Sequence, residues 1–191
     1  AQLAYLKQQG FTAISLSDLI YHLAGHKDLP PKPVIITFDD GYADNYANAF
    51  PLLQKYGFTA TFALVTQPID FGDPRYMSWA NVTEMHTAGM EFAAHSYRHY
   101  DLRDQTVDFL VYEILGSKEA IEARIGEPVR FFVYPSGQYD AQTIAVVASA
   151  NFWGALTTHY GDEHTYRHRF EIVRVRVRGA DTLADFAAKL P

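Results

Sequence analysis

Val34-Ile35-Ile36-Thr37-Phe38-Asp39-Asp40-Gly41 is the stretch on which the fold turns. An apolar and β-branched run of strand length ends abruptly in two carboxylates and a glycine. Such a run, bounded by turn residues, reads as a strand buried on both faces, as in parallel sheets. Pro30, Pro31 and Pro33 stiffen the approach to it, because proline biases its predecessor towards extended backbone. Working outward, further short runs at 13–16, 59–65, 91–94, 130–134, 153–157 and 172–177 read as strands. Longer amphipathic stretches at 2–9, 17–24, 43–56, 79–88, 106–125, 140–150 and 181–190 read as helices, with Ser17, Ser78 and Asp140 as start signals. Seven strands with interleaved helices predict an α/β protein, either a barrel or a doubly wound sheet. No G-x-G-x-x-G turn follows an early strand, which argues against a dinucleotide fold. No repeat or linker divides residues 1–191, so one domain is expected.

In a barrel of parallel strands, the C-terminal strand ends form one rim, where catalytic groups gather. Three of the predicted strands run into chemistry-bearing residues: 34–38 into Asp39-Asp40-Gly41, 91–94 into His95-Ser96-Tyr97-Arg98-His99, and 130–134 into Pro135-Ser136-Gly137. Two imidazoles and a carboxylate are a common ligand set for a catalytic divalent metal that keeps open positions. A second carboxylate beside the first adds a group free to accept a proton from an attacking water. Asp-Asp-Gly by itself is more often a turn, and His-x-x-x-His by itself is often two surface histidines. Their joint occurrence at strand ends, one pair directly after a wholly apolar strand where an unused charge is costly, favours a site.

Composition narrows the function classes. The net charge of −6 argues against a nucleic-acid partner, which calls for clustered Lys and Arg. No run approaches the ~20 apolar residues of a membrane span, and the absence of Cys removes disulfides and thiolate metal sites. Aromatic residues make up 15% of the chain, which suits both core packing and a sugar-binding surface. Trp79, Tyr97, Tyr100 and Trp153 are the candidate sugar contacts. The chain opens at Ala1, already in helix-like sequence, and reads as a processed product whose signal segment lies outside it.

Thr37-Phe38-Asp39-Asp40-Gly41 and His95-Ser96-Tyr97-Arg98-His99 resemble the first two motifs of the polysaccharide deacetylases of carbohydrate esterase family 4, the NodB-homology domain. The resemblance runs over about residues 30–178. It implies a distorted (β/α)₇ barrel, Asp39 as general base, and Asp40, His95 and His99 as metal ligands. The implied cofactor is a divalent metal, Zn²⁺ first, with Co²⁺ or Ni²⁺ as alternatives. Tyr134-Pro135-Ser136-Gly137 is similar to the third motif, Arg-x-Pro-Tyr-Gly, and places Tyr134, Pro135 and Ser136 in the substrate-binding group. A backbone N–H there helps to stabilise the oxyanion in the family, a role that survives the change to Ser136.

Two departures stand out. The Arg that orients the base in the family would fall at Val133, and Arg130, three residues earlier on a strand, faces the other way. Leu156-Thr157-Thr158-His159 matches the Leu-x-x-His motif of the family's general acid, but on the sixth strand rather than the last. The last strand instead carries Arg174, Arg176 and Arg178 on one face, and one of these is a candidate to orient Asp39. The N-terminal layout and Gly41-Tyr42-Ala43-Asp44-Asn45-Tyr46 are similar to the extracellular deacetylases that act on poly-β-1,6-N-acetylglucosamine in biofilms. That branch implies N-deacetylation of a polymer containing N-acetylglucosamine, with release of acetate, at an extracellular, cell-surface or periplasmic location. Chitin, peptidoglycan or xylan deacetylation is the alternative within the class. A carbohydrate-binding protein with weak turnover is the alternative outside it.

Overall fold

The computed structural model describes residues 1–190. Among the described residues, eight α-helices and seven strands follow one another along the chain. They are α1 (Gln2–Gln8), β1 (Thr12–Ala13), α2 (Leu16–Leu23), β2 (Pro33–Val34), β3 (Thr37–Phe38), α3 (Phe50–Tyr56), β4 (Thr61–Leu64), α4 (Thr66–Asp70), α5 (Trp79–Thr87), β5 (Glu91–Ala94), α6 (Val107–Ile125), β6 (Phe131–Val133), α7 (Ala141–Ser149), β7 (Gly154–Leu156) and α8 (Leu183–Ala187). Strands β3 to β7 form one parallel sheet in sequence order, and β1 pairs with β2 in a second parallel pair. The result is a mixed α/β fold with a curled parallel sheet, the distorted barrel the sequence leads one to expect.

The seven strands are not quite the predicted seven. The run 34–38 is divided: Val34 pairs with β1, whereas Thr37 and Phe38 pair with β4. An apolar run cannot reveal that its two ends serve different sheets. The Val/Arg alternation at 172–177 forms only a bridge, Leu156 to Ile172, although Arg174 N–H continues the pairing by donating to the His159 carbonyl at 2.9 Å.

Period-2 alternation divides the sheet between two cores. Phe62, Leu64, Phe92, Ala94, Phe132, Tyr134 and Ala155 join the large cluster that includes Leu110, Ile114 and Ile121 of α6. Ala63, Ala93, Phe131, Val133, Leu156 and Ile172 face the other way, against Leu16 and Ile20 of α2. The small side chains of Ala63 and Ala93 leave room on this inner face for α2 to approach.

Ser15, not Ser17, caps α2. Its hydroxyl accepts the Asp18 N–H, and the Asp18 carboxylate accepts the Ser15 N–H. Ser17 instead bonds Glu91, whose carboxylate also accepts the Leu16 N–H at 3.0 Å and the Thr61 hydroxyl at 2.6 Å. One carboxylate thus ties the start of α2 to the N-terminal ends of β4 and β5. The caps expected at Ser78 and Asp140 are present.

Gly154 opens β7 where the returning chain crosses close to it. A Cβ at this position would lie 2.6 Å from the Arg169 carbonyl oxygen, a backbone atom with little room to yield. Gly154→Ala should therefore destabilise the fold by about 1–3 kcal/mol, the usual cost of overpacking. Chemical denaturation would check this; an unchanged midpoint would show that the crossing relaxes freely.

Candidate metal centre and active site

Strand register brings the site together. The Val65 N–H donates to the Asp40 carbonyl at 3.3 Å, and the His95 N–H donates to the Leu64 carbonyl at 3.0 Å. Asp40, the end of β4 and His95 are therefore level with one another at the C-terminal rim. His99 returns to the same point because the loop 95–99 turns sharply, with its N–H donating to the Ser96 hydroxyl at 2.9 Å. Asp40, Ser96, His99 and Ser136 all adopt left-handed backbone, with φ of 74°, 61°, 62° and 52°. Each such non-glycine residue costs on the order of 1–3 kcal/mol, and concentrations of them mark functional sites.

Nε2 of His95 and Nε2 of His99 each lie 3.4 Å from Oδ1 of Asp40. One ligand atom from each residue lies within 4.8 Å of the others. Tetrahedral ligands bound at about 2.0–2.2 Å stand roughly 3.4 Å apart, a spacing that both Asp40–histidine pairs match, so the three side chains converge as a divalent-cation site requires. Protonation also suits a metal. Nδ1 of His95 is 2.7 Å from the Val133 carbonyl, which can only accept, so in the neutral ring the proton sits on Nδ1 and the lone pair on Nε2. Burial, and then the neighbouring His95, hold the His99 imidazole below its ordinary pKa and keep it neutral at pH 7.

Asp39 points to a different partner. Nη1 and Nη2 of Arg174 donate to its two oxygens, each at 2.8 Å, and Nη1 also reaches the Thr37 hydroxyl at 3.2 Å. Thr37 and Asp39 are two apart on one strand, and Ile172 and Arg174 are two apart on the returning chain. Alternation therefore sends each pair to the inner side. Burial alone would raise the Asp39 carboxyl, but the bidentate guanidinium outweighs it and holds the group below the usual carboxylate range. Of the three candidate arginines, Arg174 is the one that meets Asp39.

Tyr134 is fully buried and its hydroxyl donates to the Phe170 carbonyl, and Pro135 is buried too, so both side chains support the turn after β6 from beneath. Ser136 is exposed, and its N–H has no hydrogen-bond partner among the described residues. A Cβ at Gly137 would lie 2.0 Å from Thr158 Oγ1 and 3.0 Å from its Cβ, and the φ of 68° also favours glycine. The turn is thereby pressed against the end of β7, next to His159, whose ring centroid lies 6.1 Å from that of Tyr139.

The aromatic candidates divide as well. Trp153 stands before β7, at the strand end opposite the rim, with Arg130 stacked over it at 4.1 Å and Tyr21 at 5.5 Å. Neither Trp153 nor Arg130 belongs to the site. Trp79 is held by Asp70 and by Arg124 over its ring. Tyr97 packs edge-on against Tyr112, and Tyr100 stacks with Phe109. A pair not singled out from sequence, Tyr42 and Tyr76, is stacked at 4.9 Å just after Gly41, and Asp40 contributes to the raised pKa of Tyr76, after its own burial and Tyr42.

Residues 26–154 match the model of the family described as polysaccharide deacetylase. The chain belongs to that family. Among its relatives, the Bacillus subtilis protein YxkH is 28% identical over 93% of this chain and 63% of its own length. The poly-β-1,6-N-acetyl-D-glucosamine N-deacetylase of Escherichia coli K12 is 32% identical over 53% of this chain, but that match covers only 17% of the enzyme. The chain thus spans less than two thirds of these relatives. The deacetylase PplD of Streptococcus pyogenes, solved in complex with acetate, superposes with a TM-score of 0.94 at 26% identity, over 100% of this chain and 84% of that one.

A metal titration tests the triad. Wild-type protein should bind one Zn²⁺ per chain, and His95→Ala and His99→Ala should each lose stoichiometric binding by elemental analysis after dialysis. Retention of one equivalent in either variant would remove that histidine from the ligand set.

Proposed function

We propose that this chain hydrolyses the acetamide of an N-acetylglucosamine-containing polysaccharide, releasing acetate, with poly-β-1,6-N-acetylglucosamine as the favoured polymer. The observation that carries the reading is a carboxylate held by an arginine directly beside a second carboxylate that converges with two imidazoles. A protein that only bound sugar would have little use for a fixed base next to a ligand set. The 32% identity to the Escherichia coli enzyme supports the polymer assignment.

A divalent cation held by Asp40, His95 and His99, Zn²⁺ before Co²⁺ or Ni²⁺, would supply Lewis acidity towards water and the amide carbonyl. Asp39, ionised at neutral pH and unable to rotate within the Arg174 fork, accepts the proton of the attacking water. The Ser136 N–H, without another partner, donates to the developing oxyanion. His159, at the end of β7, is the candidate to protonate the departing amine. The exposed Tyr42, backed by Tyr76, offers an aromatic face to a pyranose ring beside the site. The polymer assignment points to an extracellular, surface or periplasmic setting. Among the described residues no helix is long and apolar enough to cross a membrane.

Acetate release from a β-1,6-linked N-acetylglucosamine oligomer should be abolished by chelator and restored by Zn²⁺. Activity on chitin oligomers, peptidoglycan or acetylated xylan but not on this oligomer would reassign the polymer. No release from any of them would leave a carbohydrate-binding protein. Asp39→Asn should lower kcat by about 10²–10⁴-fold with metal content unchanged, the usual range for losing a general base; wild-type turnover would reject the assignment.

Arg174→Met removes the counter-charge while leaving Asp39 buried, so the carboxyl pKa rises. The base then becomes protonated at higher pH than in the wild type. The acid limb of the kcat/KM profile should shift upward in pH, and an unmoved limb would show that Arg174 does not tune the base.

A further inference from the structure

Glu113 is a fully buried carboxylate on α6 that the chemistry above leaves unused. Its Oε2 accepts the backbone N–H of Arg98 at 2.8 Å, and its Oε1 accepts Nε of the same arginine at 2.5 Å. Its main-chain carbonyl accepts the Tyr97 N–H at 3.0 Å. One helical residue therefore holds two consecutive residues of the loop between His95 and His99. The Arg98 guanidinium is boxed on its other sides by rings: Tyr100, Tyr112 and Phe109 have centroids 4.9, 5.1 and 5.4 Å from its central carbon. A buried carboxylate is costly unless paired and hydrogen-bonded, and this one is both.

The loop it grips needs an external restraint. Ser96 and His99 are both left-handed, and conformations of that kind persist only where surrounding contacts over-determine them. The Ser96 hydroxyl holds the His99 N–H from within the loop, and the Thr66 and Gln67 N–H groups after β4 hold the Ser96 and Tyr97 carbonyls, but none of these contacts holds Arg98, the residue next to His99. We propose that Glu113, acting through Arg98, is a positioning residue that sets His99 at ligand distance from Asp40. It touches neither substrate nor metal. This rests on the reading of Asp40, His95 and His99 as metal ligands.

The same helix carries a second pair, its carboxylate more exposed, that serves as a control. Glu122 accepts Nζ of Lys118 at 2.5 Å and the Val129 N–H at 2.8 Å, an ion pair of similar build about 13 Å further along the axis at 1.5 Å per residue. Glu113→Gln keeps the volume and one acceptor but removes the charge that holds the arginine. It should weaken Zn²⁺ binding by about 10–100-fold, the range for groups that orient metal ligands, measured by chelator competition. The visible absorption of the Co²⁺-loaded variant should change in intensity, reporting altered coordination. Glu122→Gln should lower the melting temperature of the metal-free protein without moving either reading.

Wild-type affinity and an unchanged cobalt spectrum in Glu113→Gln would overturn the proposal. So would an equal loss of affinity in Glu122→Gln, since both pairs would then act only through stability. Should Glu113→Gln fail to fold, Arg98→Lys, which keeps the charge but loses the forked guanidinium, carries the same expectations. Failure of the wild-type protein to bind Zn²⁺ or Co²⁺ would instead reject the metal site itself.

Discussion

Three parallel strands ending level with one another are the constraint on which the site rests. Because β3, β4 and β5 pair in register, the backbone of Asp40 bonds to the residue after β4, and the end of β4 bonds to His95. Two candidate ligands separated by 55 positions in sequence are thereby placed by main-chain hydrogen bonds alone, before any side chain is considered. Everything else is refinement of that placement. The Val133 carbonyl selects the proton position on His95. The turn at Ser96 brings His99 back, and Arg174 fixes both oxygens of Asp39.

Two carboxylates adjacent in sequence acquire different tasks through this arrangement. Alternation along the strand turns Asp39 towards Thr37's side of the sheet, where Arg174 waits. Asp40, in left-handed backbone, leaves the strand geometry and faces the imidazoles. A carboxylate fixed by a guanidinium is poorly placed to be a metal ligand, and one shared between two imidazoles is poorly placed to be a free base. Separation of roles follows from separation of partners.

Much of this was legible in the sequence. Short apolar runs ending in Asp, His and Gly could be recognised without coordinates, because buried parallel strands leave few polar positions to misread. Asp39, Asp40, His95 and His99 stood out for that reason. Other features depended on contacts that a linear pattern does not encode. Arg174, Arg176 and Arg178 share one face at period 2, and only the distance across the barrel separates the first from the others. Ser15 and Ser17 both resemble caps; the Asp three residues after Ser15 was the available signal, and Glu91, 74 positions away, claims Ser17. Tyr134 sat in a motif position, yet its ring is directed into the core. Glu113 reads as an ordinary charged residue within an amphipathic helix, and nothing local marks it as the anchor of the loop at 95–99.

Arg174 lies beyond residue 154, where the match to the family's shared sequence stops. The returning segment that bears it contributes little to the sheet, a single bridge at Ile172 and a few hydrogen bonds to the end of β7. Excision after residue 154 would keep Asp39, Asp40, His95 and His99 but remove Arg174, the partner of Asp39, together with most of β7. The stretch that carries the family match and the stretch needed to hold Asp39 in place therefore end at different points in this protein, and engineered fragments or fusions should respect the latter.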